Sequence, residues 1–328
     1  MPTSPDPIVA RSVGERGNGT AMVVICTRHR AGELATAITA VANDRPSATV
    51  VVVDASEDGA TKEVCENLDL SHPGLRLHYL GASRPGLARQ RNEGIEFCRR
   101  LGAEVVHFID DDTEVLPGYF EALESRLREN PHLGGVGAVI DNQPEVHHRW
   151  LRMIFLLWGP RPNSVLRSGR PVLGQFPNGR HDARVDWLSG CAMSYRVSVF
   201  AENEFDNRLS GYSHGEDYDF GFRVSRGHPL AVEPESHCLH HRSARNRVDT
   251  RRLAYVGTVS GYVWAREQRR SGISVLAYWW SVFGELLLHS SYGLWKRDRS
   301  ELLRCRGVVG GVRAILAGRA SRDPVLPA

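Results

Sequence analysis

Uninterrupted apolar runs alternate with amphipathic stretches through the first third of the chain. MVVICT (22–27), ATVVVVD (48–54) and AEVVHFI (103–109) are rich in β-branched residues and do not alternate apolar with polar positions. That is the pattern of strands covered on both faces of a sheet. LRLHYL (75–80) is a weaker strand. Between these runs, 31–43, 58–68 and 86–101 read as helices, the last with Leu87, Ile95 and Phe97 apolar. The pattern predicts an α/β fold with a mostly parallel central sheet flanked by helices.

Both ends of the chain read differently. Residues 1–20, MPTSPDPIVARSVGERGNGT, are rich in Pro, Gly and polar residues and lack the layout of a signal peptide, so a disordered lead-in is expected. From 246 to 328 the pattern is helical. RLAYVGTVSGYVWAREQRR is amphipathic, and 273–295 is apolar with Trp279 and Trp280 adjacent, interrupted by Glu285 and His289. Packing on the rest of the protein and lying in a membrane interface are both open for 273–295.

At 328 residues, 41% hydrophobic and 24% charged, the chain can bury a full core. Its net charge of +3 and pI near 8.6 come almost wholly from arginine, since Lys62 and Lys296 are the only lysines. So mild an excess does not suggest nucleic acid, but it suits anionic small ligands or a membrane surface. The six cysteines lie far apart with no CxxC spacing, which excludes a disulfide framework and a four-thiolate zinc site. A cytoplasmic protein is expected, with peripheral contact at the inner face of the cell membrane as an open addition.

Ligands of parallel α/β sheets bind outside the carboxyl ends of the strands. Three polar clusters fall there: Thr27 with Arg28, Asp54 with Ser56, and Asp110, Asp111 and Asp112. Singly, each could be a helix cap or a turn. Together they mark one edge. Three adjacent carboxylates repel one another and are held most easily by a cation, and hard oxygen ligands suit Mg²⁺ or Mn²⁺. The alternative is an acidic cap on a helix starting near Pro117.

In the second half, GEDYDFGFRV places Glu216 and Asp217 at a helix start, with Phe220, Phe222 and Val224 packing inward. Neighbouring residues project about 100° apart on a helix, so the two carboxylates cannot aim at one point. HCLHHRSARNR is basic, and Arg242, Arg245 and Arg247 could cover an anionic ligand. A zinc site from His237, Cys238, His240 and His241 is less attractive, because adjacent ligands rarely give tetrahedral geometry. The stretch 146–180 is irregular, aromatic and basic, and loops of this sort usually carry ligand specificity.

From about Met22 to about His241 the sequence resembles glycosyltransferase family 2, an inverting family of GT-A fold. VVICTRHR, VVVDASEDG, GLARQRNEGIEF, FIDDDTEV, WLSGCAMSYRVSVF, GYSHGEDYDFGFRVSRG and PESHCLHH follow in the family's order and approximate spacing. The resemblance implies a catalytic domain at 21–245, divided into a nucleotide-sugar half (21–115) and an acceptor half (116–245), followed by a helical region at 246–328. It assigns Thr27, Arg28 and Asp54 to the base and ribose, and Arg89 and Asn92 to polar positions of the helix before the metal site. Asp110 and Asp112 become the ends of a DxD element, with Asp112 the more direct metal ligand and Asp111 between them. It implies Asp217 as catalytic base with Glu216 beside it. His240 closes the metal and diphosphate site, with His241 or His237 as alternatives. Trp187 and Gly190 belong to the acceptor-side motif. Ala55 departs from the family where many members carry a second acidic residue.

The chemistry agrees with this assignment. A sugar leaving a nucleoside diphosphate (UDP-, GDP- or dTDP-linked) needs its anionic leaving group stabilised, as a divalent cation does. An attacking hydroxyl of a glycan, lipid-linked or small-molecule acceptor must lose its proton to a nearby base. The expectation is a metal-dependent inverting glycosyltransferase. A sugar-phosphate nucleotidyltransferase is the alternative, although VVICTRHRAGEL lacks its Gly-rich phosphate loop. A non-catalytic binding module would have no use for both Asp112 and Asp217.

Overall fold

The computed structural model of the protein describes residues 20–144, 146, 148–174, 184–209, 214–242, 249–322 and 324. The N-terminal lead-in up to residue 19, Arg245 and Arg247 lie outside the described residues. The β-branched runs form β1 (Ala21–Thr27), β2 (Thr49–Asp54) and β4 (Val105–Asp110), with β3 (Arg76–Gly81) at the sheet edge. β3 is only partly buried, as an edge strand should be, and that accounts for its weaker sequence signal. Helices α1 (Ala31–Asp44), α2 (Ala60–Ser71) and α3 (Leu87–Arg100) connect these parallel strands.

Because side chains alternate along a strand, each run feeds two cores. Val23, Ile25, Val50 and Val52 pack with Leu34, Ile38 and Val41 of α1 on one face. Met22, Val24, Val51 and Val53 pack with Ala88, Ile95 and Cys98 of α3 on the other. Each such fully buried aliphatic side chain contributes about 1.5–3 kcal/mol. α3 approaches closely because residue 94 is glycine: a Cβ there would lie 2.7 Å from a Val24 methyl.

The sheet then changes direction. β5 (Thr113–Val115), β6 (Gly135–Ile140), β7 (Ala192–Arg196) and β8 (Leu230–His240) complete the order β3-β2-β1-β4-β7-β6-β8-β5. β7 runs antiparallel to both β4 and β6, and β5 antiparallel to β8. The remaining helices are α4 (Tyr119–Glu129), α5 (Arg149–Ile154), α6 (Glu216–Val224), α7 (Thr250–Glu267), α8 (Val275–Lys296) and α9 (Arg299–Leu316). This is the GT-A arrangement with C-terminal helices. The acidic-cap alternative for the three aspartates fails on register: Thr113–Val115 pair with Cys238–His240 as a strand, and the helix begins only at Tyr119.

The C-terminal helices share a core with α6, where Phe222 packs among Trp264, Tyr278 and Val308. Trp264 Nε1 donates to Asp219 of α6 at 2.6 Å, and the buried Arg322 pairs with Asp206 and Asp219 at 3.1 and 3.2 Å. The C-terminal helices are therefore bolted to α6 and to the segment before it.

Candidate active site

β1 and β4 end side by side, with Cys26 opposite Asp110, and the chain then turns through Asp111 and Asp112 into β5. Burying two of the three carboxylates, Asp111 and Asp112, requires partners. Thr27 Oγ1 donates to Asp111 at 2.7 Å, and Arg30 Nη1 lies 2.9 Å from Asp111 and 3.7 Å from Asp112. Burial pushes the Asp111 carboxyl up to about 6, against the pull of Thr27 and Arg30. Asp111 thus anchors the turn, leaving Asp110 and Asp112 on the wall of a cavity.

The antiparallel pairing of β5 with β8 sets Thr113 opposite His240, which carries the imidazole to Asp112 with Nε2–Oδ1 at 3.1 Å. Burial opposes a charged ring there, but the hydrogen bonds to Asp112 and Cys191 and the nearby Asp110 together outweigh it and raise His240 to about 10. One ligand atom each from Asp110, Asp112 and His240 lie within 4.8 Å of one another. Two carboxylates and an imidazole are donors that Mg²⁺ or Mn²⁺ accepts, so these residues fit such a cation. His237 and His241 are turned to other partners, Asp141 at 2.7 Å and Glu114 at 2.8 Å. Cys238 points into the core and does not share a ligand point with them.

A second group joins this turn to α6. Arg91 of α3, fully buried, donates to Asp110 at 3.2 Å, to the Gly190 carbonyl at 3.1 Å and to Glu216. Burial works against the Arg91 charge, but Glu216 and Asp110 outweigh it and hold the guanidinium above its ordinary value. Burial and the adjacent Asp217 push the Glu216 carboxyl upward, with Arg91 opposing. Gly190 completes the link by donating its N–H to Asp217 Oδ2 at 3.1 Å, while Asp217 Oδ1 accepts from the Tyr218 N–H at 2.8 Å. Residue 190 must be small: a Cβ there would sit 2.7 Å from Arg91 Nη2.

These residues line one cavity of about 1040 Å³. Thr27, Arg28, Asp110, Asp111, Asp112 and His240 form one part of its wall, and Trp187, Gly190, Glu216 and Asp217 another. The C-terminal helices contribute Arg252, Val256 and Tyr278, and the residues flanking them Asp249 and Arg322. Trp187 is buried on this wall, and its Nε1–H has no hydrogen-bond partner among the described residues.

Four sequence-selected residues stand elsewhere or face away. Asp54 lies at the end of β2 opposite Thr27, but its carboxylate is taken by Ser56 and Tyr79 and does not reach the cavity wall. Arg89 and Asn92 line a separate small hollow of about 280 Å³, and Asn92 ties α3 to Phe205 through two backbone bonds of 2.9 and 3.0 Å. Arg242 bonds Gln143 off the described cavity wall. Arg28 does line the cavity, with its tip 2.9 Å from the exposed Glu57. The residues that sequence reasoning passed over are Arg30, Arg91 and Gln90, whose amide bonds the carbonyls of Thr27 and Val53 at 3.0 and 2.8 Å.

A family model described as glycosyl transferase family 2 matches residues 22–200. No curated protein matches the chain. Several solved structures share its fold. The mannosyltransferase PcManGT from Pyrobaculum calidifontis, in complex with GDP-Man and Mn²⁺, is 15% identical with a TM-score of 0.58, over 89% of this chain and 87% of that one. GalNAc-T7 with UDP, GalNAc and Mn²⁺ is 14% identical with a TM-score of 0.50, over 78% of this chain and 52% of that one. TarS 1-349 from S. aureus is 13% identical with a TM-score of 0.50, over 92% of this chain and 82% of that one.

Proposed function

The chain belongs to glycosyl transferase family 2 and is a glycosyltransferase, and from that premise we propose a cation-assisted transfer with inversion from a nucleoside-diphosphate sugar to an acceptor hydroxyl. The observation that carries the reading is the single cavity walled by both Asp110, Asp112 and His240 and, across Arg91 and Gly190, by Asp217. Asp110, Asp112 and His240 would hold Mg²⁺ or Mn²⁺, which when bound neutralises charge on a departing diphosphate. Arg30, beside Asp111 and Asp112, adds a fixed positive charge at the same wall.

Asp217 is the base. Its two oxygens each accept one backbone N–H, which fixes the carboxylate plane while leaving lone pairs for an acceptor proton. Glu216 is engaged by Arg91 and serves to hold that cation. The donor is a UDP-, GDP- or dTDP-linked sugar and the acceptor a hydroxyl of a glycan, lipid-linked or small molecule. With base and leaving-group sites contributed by different walls, a single displacement inverts the anomeric carbon. Proton NMR of the first-formed product tests this: an α-linked donor should give a β-linked product. Net retention, or a sugar trapped covalently on the protein, would overturn the assignment of Asp217.

A further inference from the structure

We infer that the outer face of α8, extended by α5, docks on an anionic lipid surface. At 100° per residue, Leu276, Trp280, Phe283, Leu287 and Leu294 fall on one narrow stripe of α8. All five are 44–82% exposed. The opposite face is where the helix keeps its polar groups: Glu285 accepts from Arg170 at 2.7 Å, Ser281 from Arg170 at 3.1 Å, and His289 pairs with Glu301. The usual polarity of a surface helix is thus reversed. Glu285 and His289, which interrupt the apolar run in the sequence, point inward.

α5 widens the stripe into a patch. The Trp280 indole donates to the Ile154 carbonyl at 2.8 Å and its ring lies 5.3 Å from Phe155, which brings the exposed Trp150, Met153 and Ile154 alongside. A contiguous exposed apolar patch of this kind marks an interaction site. Among the described residues, no helix is long and apolar enough to cross a membrane. A face lying along an interface remains.

Charge selects the occupant. Residues 249–322 carry thirteen Lys and Arg against five Asp and Glu, an excess of eight in a chain whose total excess is three. The rest of the chain therefore carries a deficit of five. Arg149 and Arg152 flank the patch on α5, and Lys296, Arg297 and Arg299 follow Leu294. Such a distribution attracts anionic headgroups and repels a second copy presenting the same face.

The inference is read without donor or acceptor, so its failure leaves the transferase reading standing. Full-length protein should co-sediment with vesicles of phosphatidylcholine and phosphatidylglycerol, less with phosphatidylcholine alone, and progressively less as salt rises. Leu276→Glu, at a position with almost no contacts to lose, and the triple variant Leu276→Ser, Phe283→Ser, Leu287→Ser should each lower partition about tenfold or more. Melting temperature and nucleotide binding verify that both variants fold. Absence of wild-type binding to either vesicle, or undiminished binding by both variants, would overturn the inference. So would a dimer in sedimentation velocity that the same substitutions dissociate and that does not bind vesicles.

Discussion

Arg91 and Glu216, 125 positions apart in the chain, meet as a buried ion pair beneath the cavity floor. Arg91 also bonds Asp110, so removing it strands two carboxylates. We expect Arg91→Met to cost about 3–5 kcal/mol in urea unfolding. Arg91→Met with Glu216→Gln should recover part of that loss. Gly190→Ala, whose methyl would press on the guanidinium, should lower the melting temperature and the rate together.

Asp217→Asn preserves shape and one of the two backbone hydrogen bonds, sets its amide NH2 against the other N–H, and cannot take a proton. Transfer should slow by about two to four orders of magnitude, with nucleotide affinity in calorimetry nearly unchanged. An equal loss of nucleotide binding would move Asp217 to a donor-binding role.

Asp112→Ala removes one donor of the Asp110, Asp112 and His240 cluster. Mn²⁺ titrated into wild type should give binding heat that the variant loses, and a chelator should abolish wild-type transfer. Full activity in excess chelator would exclude the cation.

Trp187→Phe keeps the ring and discards the unpartnered N–H. Because that N–H is buried, the melting temperature should be unmoved or slightly raised, with the Michaelis constants for donor and acceptor unchanged. A raised Michaelis constant would show that substrate binding uncovers the N–H.

Away from the cavity, His107, Arg45 and Glu124 form a structural network at the core. Burial raises the Glu124 carboxyl, but the hydrogen bonds from His107 and Arg45 outweigh it and bring it down to about 2. A lowered carboxylate adds stability above its unfolded value, and that stability disappears as pH falls from about 4.5 to about 2. Glu124→Gln should therefore melt lower than wild type at neutral pH and converge with it in acid.

The strand ends were legible because β-branched runs terminate in polar residues, and Thr27 and Asp110 to Asp112 sit where that rule put them. Arg91 was not. In the polar string Arg89-Gln90-Arg91-Asn92 each residue turns 100° from the last, and the apolar positions Leu87, Ile95 and Phe97 do not single out one face. The buried series Ala88, Arg91, Ile95 and Cys98, at helical spacing, would have done so, since it draws an arginine onto the inward stripe. Gly190 was visible only as part of a motif. Its need to be small comes from a guanidinium delivered by a helix a hundred residues upstream. The contribution of α7 and α8 to the cavity wall left no local mark, because it depends on how Trp264 and Arg322 fasten them to α6.

One guanidinium serving Asp110, Gly190 and Glu216 also limits modular exchange. A chimera that replaces the segment carrying residues 190 and 216 with a foreign one, while keeping α3, inherits Arg91 with whatever faces it. Unless the graft supplies a carboxylate at 216 and a side-chain-free position at 190, the charge is left uncompensated at the seam. Recombination across this seam is therefore constrained, and grafts into this chain can be screened first by those two positions.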